Sequence, residues 1–234
     1  MSDLRPDIAA KVEEWKQAAA EYEEEPPDPE REANLHRAYL AAVGFGRRYC
    51  EPQWTEMLPE AQRELRPYCD RIAEHIAAGE GATLYGGVGT GKTHALGLIA
   101  LAAAKVFVSV GIAARKRPRV RYVFAPDLYD ALWSDSNPEA RARVLQWQGC
   151  ELLLLDDADR LYGTAYNISR FESFVERRHG ELRATCITVN SGELFRRPEL
   201  ARTVDRWRET TTVRVKFSGE SRRRDRRDSE EPRP

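Results

Sequence analysis

The sequence predicts an α/β domain in which a mainly parallel sheet carries helices on both faces. Three observations lead to this fold class: apolar runs alternate with helical patterns from residue 82 onward, a glycine-rich loop joins the first run to a long helix, and four consecutive leucines end in two aspartates. The candidate strands are 82–86, 120–125, 151–156, 184–190 and 211–217. The helical segments between them are 91–112, 127–134, 137–147, 164–180 and 193–209.

The region before residue 82 is predicted to be helical. Residues 7–22 place four apolar side chains on one stripe at helical spacing: Ile8, Val12, Trp15 and Ala19. An acidic, proline-rich run at 23–29 ends this helix and predicts a linker or hinge, after which a second helix covers about 30–43. Residues 57–78 are mostly helical again, with a kink or restart expected at Pro67. The candidate buried positions in that segment are Leu58, Leu65, Cys69, Ile72 and Ile76.

These patterns divide the chain into three parts. Residues 1–44 form a small helical N-terminal extension, residues 45–223 form the α/β domain, and residues 224–234 form a tail. The tail mixes arginines with acids and has proline as its only apolar residue, so we expect it to be disordered. A chain of 234 residues is long enough for one sizeable domain with such appendages.

The composition does not indicate a globally basic nucleic-acid binder. The formal net charge is −1, and 41% hydrophobic with 32% charged residues allow a packed core beneath a well-solvated surface. Arginine is nevertheless dense after residue 113, which leaves local basic patches open. The basic stretch 115–121 has two interpretations, a solvated loop between helix and strand or a contact with the phosphates of single-stranded DNA.

The cysteines and the apolar segments bear on the compartment. Four cysteines lie far apart without a CxxC pair, which fits neither a zinc knuckle nor a disulfide framework and predicts free thiols in a reducing cytosol. The N-terminus lacks the apolar stretch of a signal peptide. The segment 95–114 is apolar enough for a membrane helix to be an alternative, but the loop before it already requires a buried helix here. We therefore predict a cytoplasmic protein without membrane association.

The glycine-rich loop matches the pattern G-x-x-x-x-G-K-[ST] in full. Its residues are Gly86, Gly87, Val88, Gly89, Thr90, Gly91, Lys92 and Thr93. In such a loop the backbone N–H groups surround phosphate oxygens, and the following helix presents its positive N-terminus. Lys92 would reach the β- and γ-phosphates of ATP, and the Thr93 hydroxyl would ligate Mg²⁺. A glycine-rich turn that matches by chance is the alternative, but the apolar strand before the loop and the helix after it favour a P-loop.

Two aspartates follow the run of four leucines. A wholly apolar strand belongs at the centre of a parallel sheet, and ligands bind where the carboxyl ends of such strands emerge. Asp156 would hold Mg²⁺, directly or through water, and Asp157 would orient or deprotonate the attacking water. An acidic pair that simply ends a strand is the alternative, and the preceding P-loop favours the functional interpretation.

Two further polar residues lie where they could act on a nucleotide. Asn190 ends another buried strand, and its amide could position water beside the γ-phosphate; the alternative is a helix cap or a turn. Arg206 lies near the end of a helix, before the last strand, and could act across a subunit boundary on the γ-phosphate of a neighbour. Because arginine is common in this chain, a plain surface residue is the alternative for Arg206.

The run from about residue 44 to 223 resembles the AAA+ ATPases of the DnaC/DnaI helicase-loader and IstB transposase-helper family. The segments that carry the resemblance are Gly44–Tyr49, Tyr122–Leu128, Leu155–Asp157, Arg177–Asn190, Val204–Arg206 and Gly219–Arg223. Two departures stand out: Ala158 and Asp159 follow the strand-end acids where glycine is frequent, and Arg222 stands where a tyrosine is usual.

The resemblance implies an AAA+ domain that binds and hydrolyses ATP with Mg²⁺, as a homo-oligomer or docked on a partner. It implies that Arg206, or alternatively Arg208, is the arginine finger, that Asn190 is the first sensor, and that Arg223 contacts the nucleotide. It also implies loading of a replicative helicase onto single-stranded DNA, with the N-terminal helices binding the helicase. Three alternatives stay open: an IstB-like transposase helper acting on double-stranded DNA, an ATP-gated adaptor with little turnover, and, more remotely, a small-molecule kinase.

Overall fold

A computed structural model of the chain describes residues 6–20, 29–108, 119–134, 136–161 and 164–221. The helices are α1 (Pro6–Ala20), α2 (Pro29–Val43), α3 (Pro59–Asp70), α4 (Ile72–Ala78), α5 (Lys92–Val108), α6 (Ala125–Trp133), α7 (Pro138–Gly149), α8 (Ala165–Gly180) and α9 (Ala201–Thr210). The strands are β1 (Gly81–Gly86), β2 (Val120–Phe124), β3 (Leu152–Asp156), β4 (Ala184–Val189) and β5 (Thr211–Phe217).

The five strands form one parallel sheet in the order β2-β3-β4-β1-β5, which confirms the predicted fold class. Successive side chains of a strand point to opposite faces, and the two faces have separate apolar clusters. Leu152 and Leu154 of β3 belong to the cluster that includes buried residues of α1 to α5, whereas Leu153 and Leu155 belong to the cluster of α6, α8 and α9. Because all strands run the same way, β1, β3 and β4 end at one edge of the sheet.

Helix α1 is packed into the core and contacts α4 and α5. Its residues Ile8, Val12 and Trp15 are buried in the same cluster as the central strands, as their helical spacing predicts. Full burial of such side chains contributes roughly 1.5–3 kcal/mol each. The first helix therefore shares its apolar contacts with the α/β domain. The side chain of Ala19 and most of the predicted hinge at 23–29 lie outside the described residues.

Two predicted helices are interrupted in the structure. Pro67 lies inside α3, and the break in this segment comes four residues later, near Arg71, whose N–H donates to the carbonyl of Tyr68; the next helix begins at Ile72. The predicted helix 193–209 is two 3₁₀ turns, Leu194–Arg196 and Pro198–Leu200, followed by α9. Pro198 explains the break between these two turns. Proline disfavours helical geometry in the residue before it, and Arg197 is accordingly extended, at φ −72° and ψ 115°.

The apolar helix after the P-loop is α5, whose described part ends at Val108. Within the described ranges, no helix has both the length and the apolar character needed to cross a bilayer. The rest of the segment 95–114 that raised the membrane alternative, and the tail at 224–234, lie outside those ranges.

Arg178 of α8 is fully buried at the start of the strands, the edge opposite to their carboxyl ends. Its Nε donates to Thr185 Oγ1 at 3.0 Å, and its Nη2 donates to the carbonyl of Ala184 at 2.5 Å. Its Nη1 reaches the carbonyls of Trp147, Gln148 and Cys150 at 2.8, 3.1 and 2.9 Å. Burial lowers the pKa of Arg178, but a guanidinium keeps its charge in proteins. This one side chain joins α7, α8 and the beginnings of β3 and β4.

Candidate nucleotide-binding site

The P-loop begins where β1 ends, and α5 starts at Lys92. Three loop residues, Gly86, Gly89 and Gly91, have positive φ values of 146°, 80° and 104°. Glycine adopts such values readily because it has no Cβ, whereas other residues disfavour them. Two of them also lack space for a Cβ: an added Cβ would lie 2.0 Å from the carbonyl oxygen of Phe217 at Gly86, and 2.1 Å from the Oγ of Ser221 at Gly89. The loop therefore needs glycine both for its turns and for its contact with β5 and the residues after it.

Lys92 is buried against the loop that precedes it. Its Nζ donates to the carbonyl oxygens of Gly86 and Gly87 at 2.8 and 2.7 Å, and the Thr90 hydroxyl donates to the same Gly87 oxygen at 2.8 Å. The ammonium is thus held over the loop at the first turn of α5. A phosphate in the loop would offer this cation a charged acceptor in place of neutral carbonyls.

Asp156 accepts hydrogen bonds from three hydroxyl groups. Thr93 and Tyr122 both donate to its Oδ2 at 2.8 Å, and Thr188 donates to its Oδ1 at 2.5 Å. The structure thus brings Thr93 and Asp156 together, as the sequence predicts. The residues that sequence reasoning missed are Tyr122 and Thr188, whose side chains reach Asp156 from the strands on either side of β3.

Asp157 is held by groups on both of its oxygens. Its backbone is left-handed, at φ 56° and ψ 46°, a conformation in which aspartate is enriched. Its Oδ1 accepts from Asn190 Nδ2 at 3.0 Å, and its Oδ2 lies 3.2 Å from the Nε of Arg160. Asn190 also binds Asp159, through its backbone N–H at 3.1 Å and its amide at 3.3 Å. Asn190 therefore faces the strand-end acids, and Asp159 and Arg160 are contacts that sequence reasoning missed.

The paired Thr93 and Asp156 oxygens form a donor set of the kind that Mg²⁺ prefers. No group of three or more His, Cys, Asp or Glu side chains suited to a metal ion occurs in the described ranges. A site built on a nucleotide needs fewer protein ligands, because Mg²⁺ at phosphate sites keeps waters and takes phosphate oxygens as well. The residues present therefore fit the predicted ion.

Arg206 lies on the outer surface of α9 and contacts α8. Its Nε and Nη2 donate to the two carboxylate oxygens of Glu176 at 3.1 and 3.3 Å, and its Nη1 lies 3.4 Å from Glu209. The hydrogen bond with Glu176 raises the pKa of Arg206, so the guanidinium stays protonated. The side-chain hydrogen bonds identified for Arg206 within the described residues are therefore to acids on the surface of the same chain. Arg208 is exposed on the same helix, and Arg223 lies outside the described residues.

Comparisons with known proteins bear on this arrangement. No protein-family profile matches the chain, and a search of curated proteins found no match. Among solved structures, the chain is similar to one described as the crystal structure of DnaI, with 19% identity, a TM-score of 0.57, and coverage of 76% of this chain and 94% of that chain.

Two structures of the replication initiator DnaA are also similar. One, bound to AMPPCP and single-stranded DNA, has 19% identity, a TM-score of 0.54, and coverage of 72% of this chain and 51% of that chain. The other, AMPPCP-bound DnaA from Aquifex aeolicus, has 21% identity, a TM-score of 0.51, and coverage of 72% and 50%. The chain thus spans about half the length of these DnaA chains. At these identities the likeness concerns the fold, and it confirms the predicted resemblance at that level: the chain has the P-loop AAA+ fold shared by DnaI and DnaA.

Proposed function

We propose that the chain binds ATP with Mg²⁺, hydrolyses it when assembled with further copies or on a partner, and loads a replicative helicase onto single-stranded DNA. The observation that carries the nucleotide part is the contact of Thr93 with Asp156, beside the contact of Asp157 with Asn190. Together these contacts place a hydroxyl, two carboxylates and an amide at the edge of the sheet where the P-loop lies.

Each residue then has a task in hydrolysis. The loop N–H groups and the N-terminus of α5 bind the phosphates, and Lys92 turns from the loop carbonyls to the β- and γ-phosphates. Thr93 and Asp156 would hold Mg²⁺, which would neutralise charge on the phosphate oxygens. Asp157 orients the attacking water or accepts its proton, and Asn190 fixes the carboxylate of Asp157 and the water beside it.

Replacing Lys92 tests nucleotide binding directly. Lys92→Ala is expected to lower the affinity for a fluorescent ATP analogue by about tenfold or more, because a hydrogen-bonded charge facing the phosphates is worth roughly 1.5–3 kcal/mol. Lys216→Ala, an exposed lysine on β5, is the matched control and should bind as the wild type does. Wild-type affinity in Lys92→Ala would contradict nucleotide binding in this loop.

We place the DNA contact at a groove between α6, α7 and α8. The groove has a volume of about 420 Å³, and the described residues that line it include Arg141, Arg170 and Arg177 and no carboxylate. Leu145 and Tyr166 beside them are 65% and 61% exposed. Arginines for phosphates and an aromatic face for bases are what single-stranded DNA requires. The basic stretch at 115–121 offers less support, because 115–118 lie outside the described residues and Arg119 binds Glu151 and the carbonyl of Gly149.

Charge reversal tests this placement. The double change Arg141→Glu with Arg177→Glu is expected to lower the affinity for an oligothymidine by tenfold or more. The slope of log affinity against log salt should fall by about 0.7 for each phosphate that the variant no longer neutralises. Arg63→Glu with Arg66→Glu on α3 makes the same change in net charge away from the groove and should have a much smaller effect. Equal losses of affinity in the two variants would contradict the groove as the DNA site.

Co-purification experiments distinguish the possible partners. Co-purification with the replicative helicase supports loading, and co-purification with a transposase supports the transposase-helper alternative. An ATP-gated adaptor would associate with its partner in a nucleotide-dependent way yet show little turnover with or without DNA. The buried stripe of α1 faces the core, so a partner docking on the N-terminal extension would contact its exposed residues.

A further inference from the structure

Tyr122 contacts the oxygen of Asp156 that also binds Thr93. A carboxylate oxygen has two lone pairs, so the two hydroxyls at 2.8 Å together satisfy Oδ2. A carboxylate can only accept, so the phenol of Tyr122 is the donor in this bond. If Thr93 turned its oxygen to a metal ion and gave up this bond, Tyr122 would still donate to Oδ2 of Asp156.

The ring of Tyr122 rests on the segment that leaves the N-terminal extension. Phe45 is buried, and its ring stacks on Tyr122 with centroids 4.2 Å apart and an angle of 29° between the planes. Gly44, next to the end of α2, has φ 118°, and a Cβ on it would lie 2.8 Å from the carbonyl oxygen of Tyr122. The backbone of this segment therefore lies against β2, and α2 contacts the same strand.

We propose that Tyr122 is a positioning residue for Asp156, and that Phe45, by stacking on it, couples the N-terminal extension to the metal site. The inference rests on the proposed function, in which Asp156 and Thr93 hold Mg²⁺. Its consequence is regulatory: a partner that shifts α2 would move the ring stack and change the Mg²⁺ concentration at which nucleotide is bound. No contact between that partner and the nucleotide is needed.

Tyr122→Phe tests the first step, because it keeps the ring and its stack and removes only the hydroxyl. The measurement is the affinity for a fluorescent ATP analogue as a function of Mg²⁺ concentration, and again in EDTA. The Mg²⁺ concentration that gives half of the Mg²⁺-dependent gain in nucleotide affinity is expected to rise by about 10- to 100-fold, as for other residues that orient a metal ligand. Affinity in EDTA should not change. Tyr68→Phe is the control, since that buried tyrosine donates to the Glu80 carbonyl at 3.1 Å, away from Asp156.

Phe45→Leu tests the coupling, because it keeps an apolar side chain and loses the aromatic stack. It should raise the Mg²⁺ requirement in the wild-type background and have no further effect in Tyr122→Phe. Additive effects, or a wild-type Mg²⁺ requirement in Tyr122→Phe, overturn the inference while the proposed function stands. If nucleotide binding by the wild-type protein does not depend on Mg²⁺, both the inference and the proposed function are overturned. Thermal unfolding of each variant shows whether a change at the site reflects a loss of folded protein.

Discussion

Arg206→Ala is expected to bind ATP with nearly wild-type affinity and to hydrolyse it about 10³- to 10⁵-fold more slowly, the range found when an arginine is supplied to a γ-phosphate. Arg206 is on an exposed helix surface and pairs with Glu176 and Glu209, which are themselves exposed. Exposed ion pairs hold a side chain weakly, so an incoming phosphate competes well for this cation. If the arginine acts on a neighbouring subunit, turnover per chain should rise with protein concentration.

Mixing variants shows whether the arginine acts between subunits. Lys92→Ala binds little ATP but retains Arg206, so mixing it with Arg206→Ala should restore part of the activity at shared interfaces. Arg202→Ala, on an exposed position of the same helix, is the control for a general loss of charge. Wild-type turnover in Arg206→Ala, or no rescue in mixtures shown to assemble together, would contradict the assignment. Loss of turnover in Arg208→Ala instead would make Arg208 the finger.

Asp157→Asn is expected to slow single-turnover hydrolysis by about 10²- to 10⁴-fold, the contribution of a general base. Binding should persist because Lys92, Thr93 and Asp156 are unchanged. The fold should persist as well, since asparagine tolerates the left-handed backbone and its amide oxygen still accepts from Asn190.

The measurement for Asp157→Asn is a single-turnover assay with excess enzyme, beside ATP-analogue binding. Asp127→Asn removes a charge from an exposed position of α6 and serves as the control. Hydrolysis at the wild-type rate in Asp157→Asn would exclude Asp157 from the chemistry. Loss of binding along with hydrolysis would instead assign Asp157 a place in holding the nucleotide.

The features of the site that the sequence predicts are those that depend on a few consecutive residues. The P-loop pattern, the four leucines before Asp156 and the asparagine that follows β4 each have a local signature. The hydroxyls of Tyr122 and Thr188 have none, because their approach to Asp156 depends on how β2 and β4 pair with β3. The pairing of Arg206 with Glu176 likewise arises from the packing of α9 on α8.

The fold shows the same limit. Alternation of apolar and helical patterns is sufficient for the parallel sheet, but helix continuity depends on single residues whose effect varies with context. Pro67 is accommodated inside α3, whereas Pro198 separates the first short turn from the one that leads into α9. The stripe of α1 predicts a buried face, yet its partners, α4 and α5, are distant in sequence.

The guanidinium of Arg178 gives the two edges of the sheet different mechanical properties. Separating α7 or α8 from the strands would leave a buried charge and several carbonyl groups without partners, which costs far more than separating apolar surfaces alone. Amide groups at this edge should therefore exchange only when the whole domain unfolds. The opposite edge is joined by hydroxyl, carboxylate and amide side chains that a ligand can re-pair one at a time. Motion that accompanies a nucleotide cycle should accordingly be greatest at the carboxyl ends of the strands. It should be smallest at the opposite edge, which Arg178 holds together.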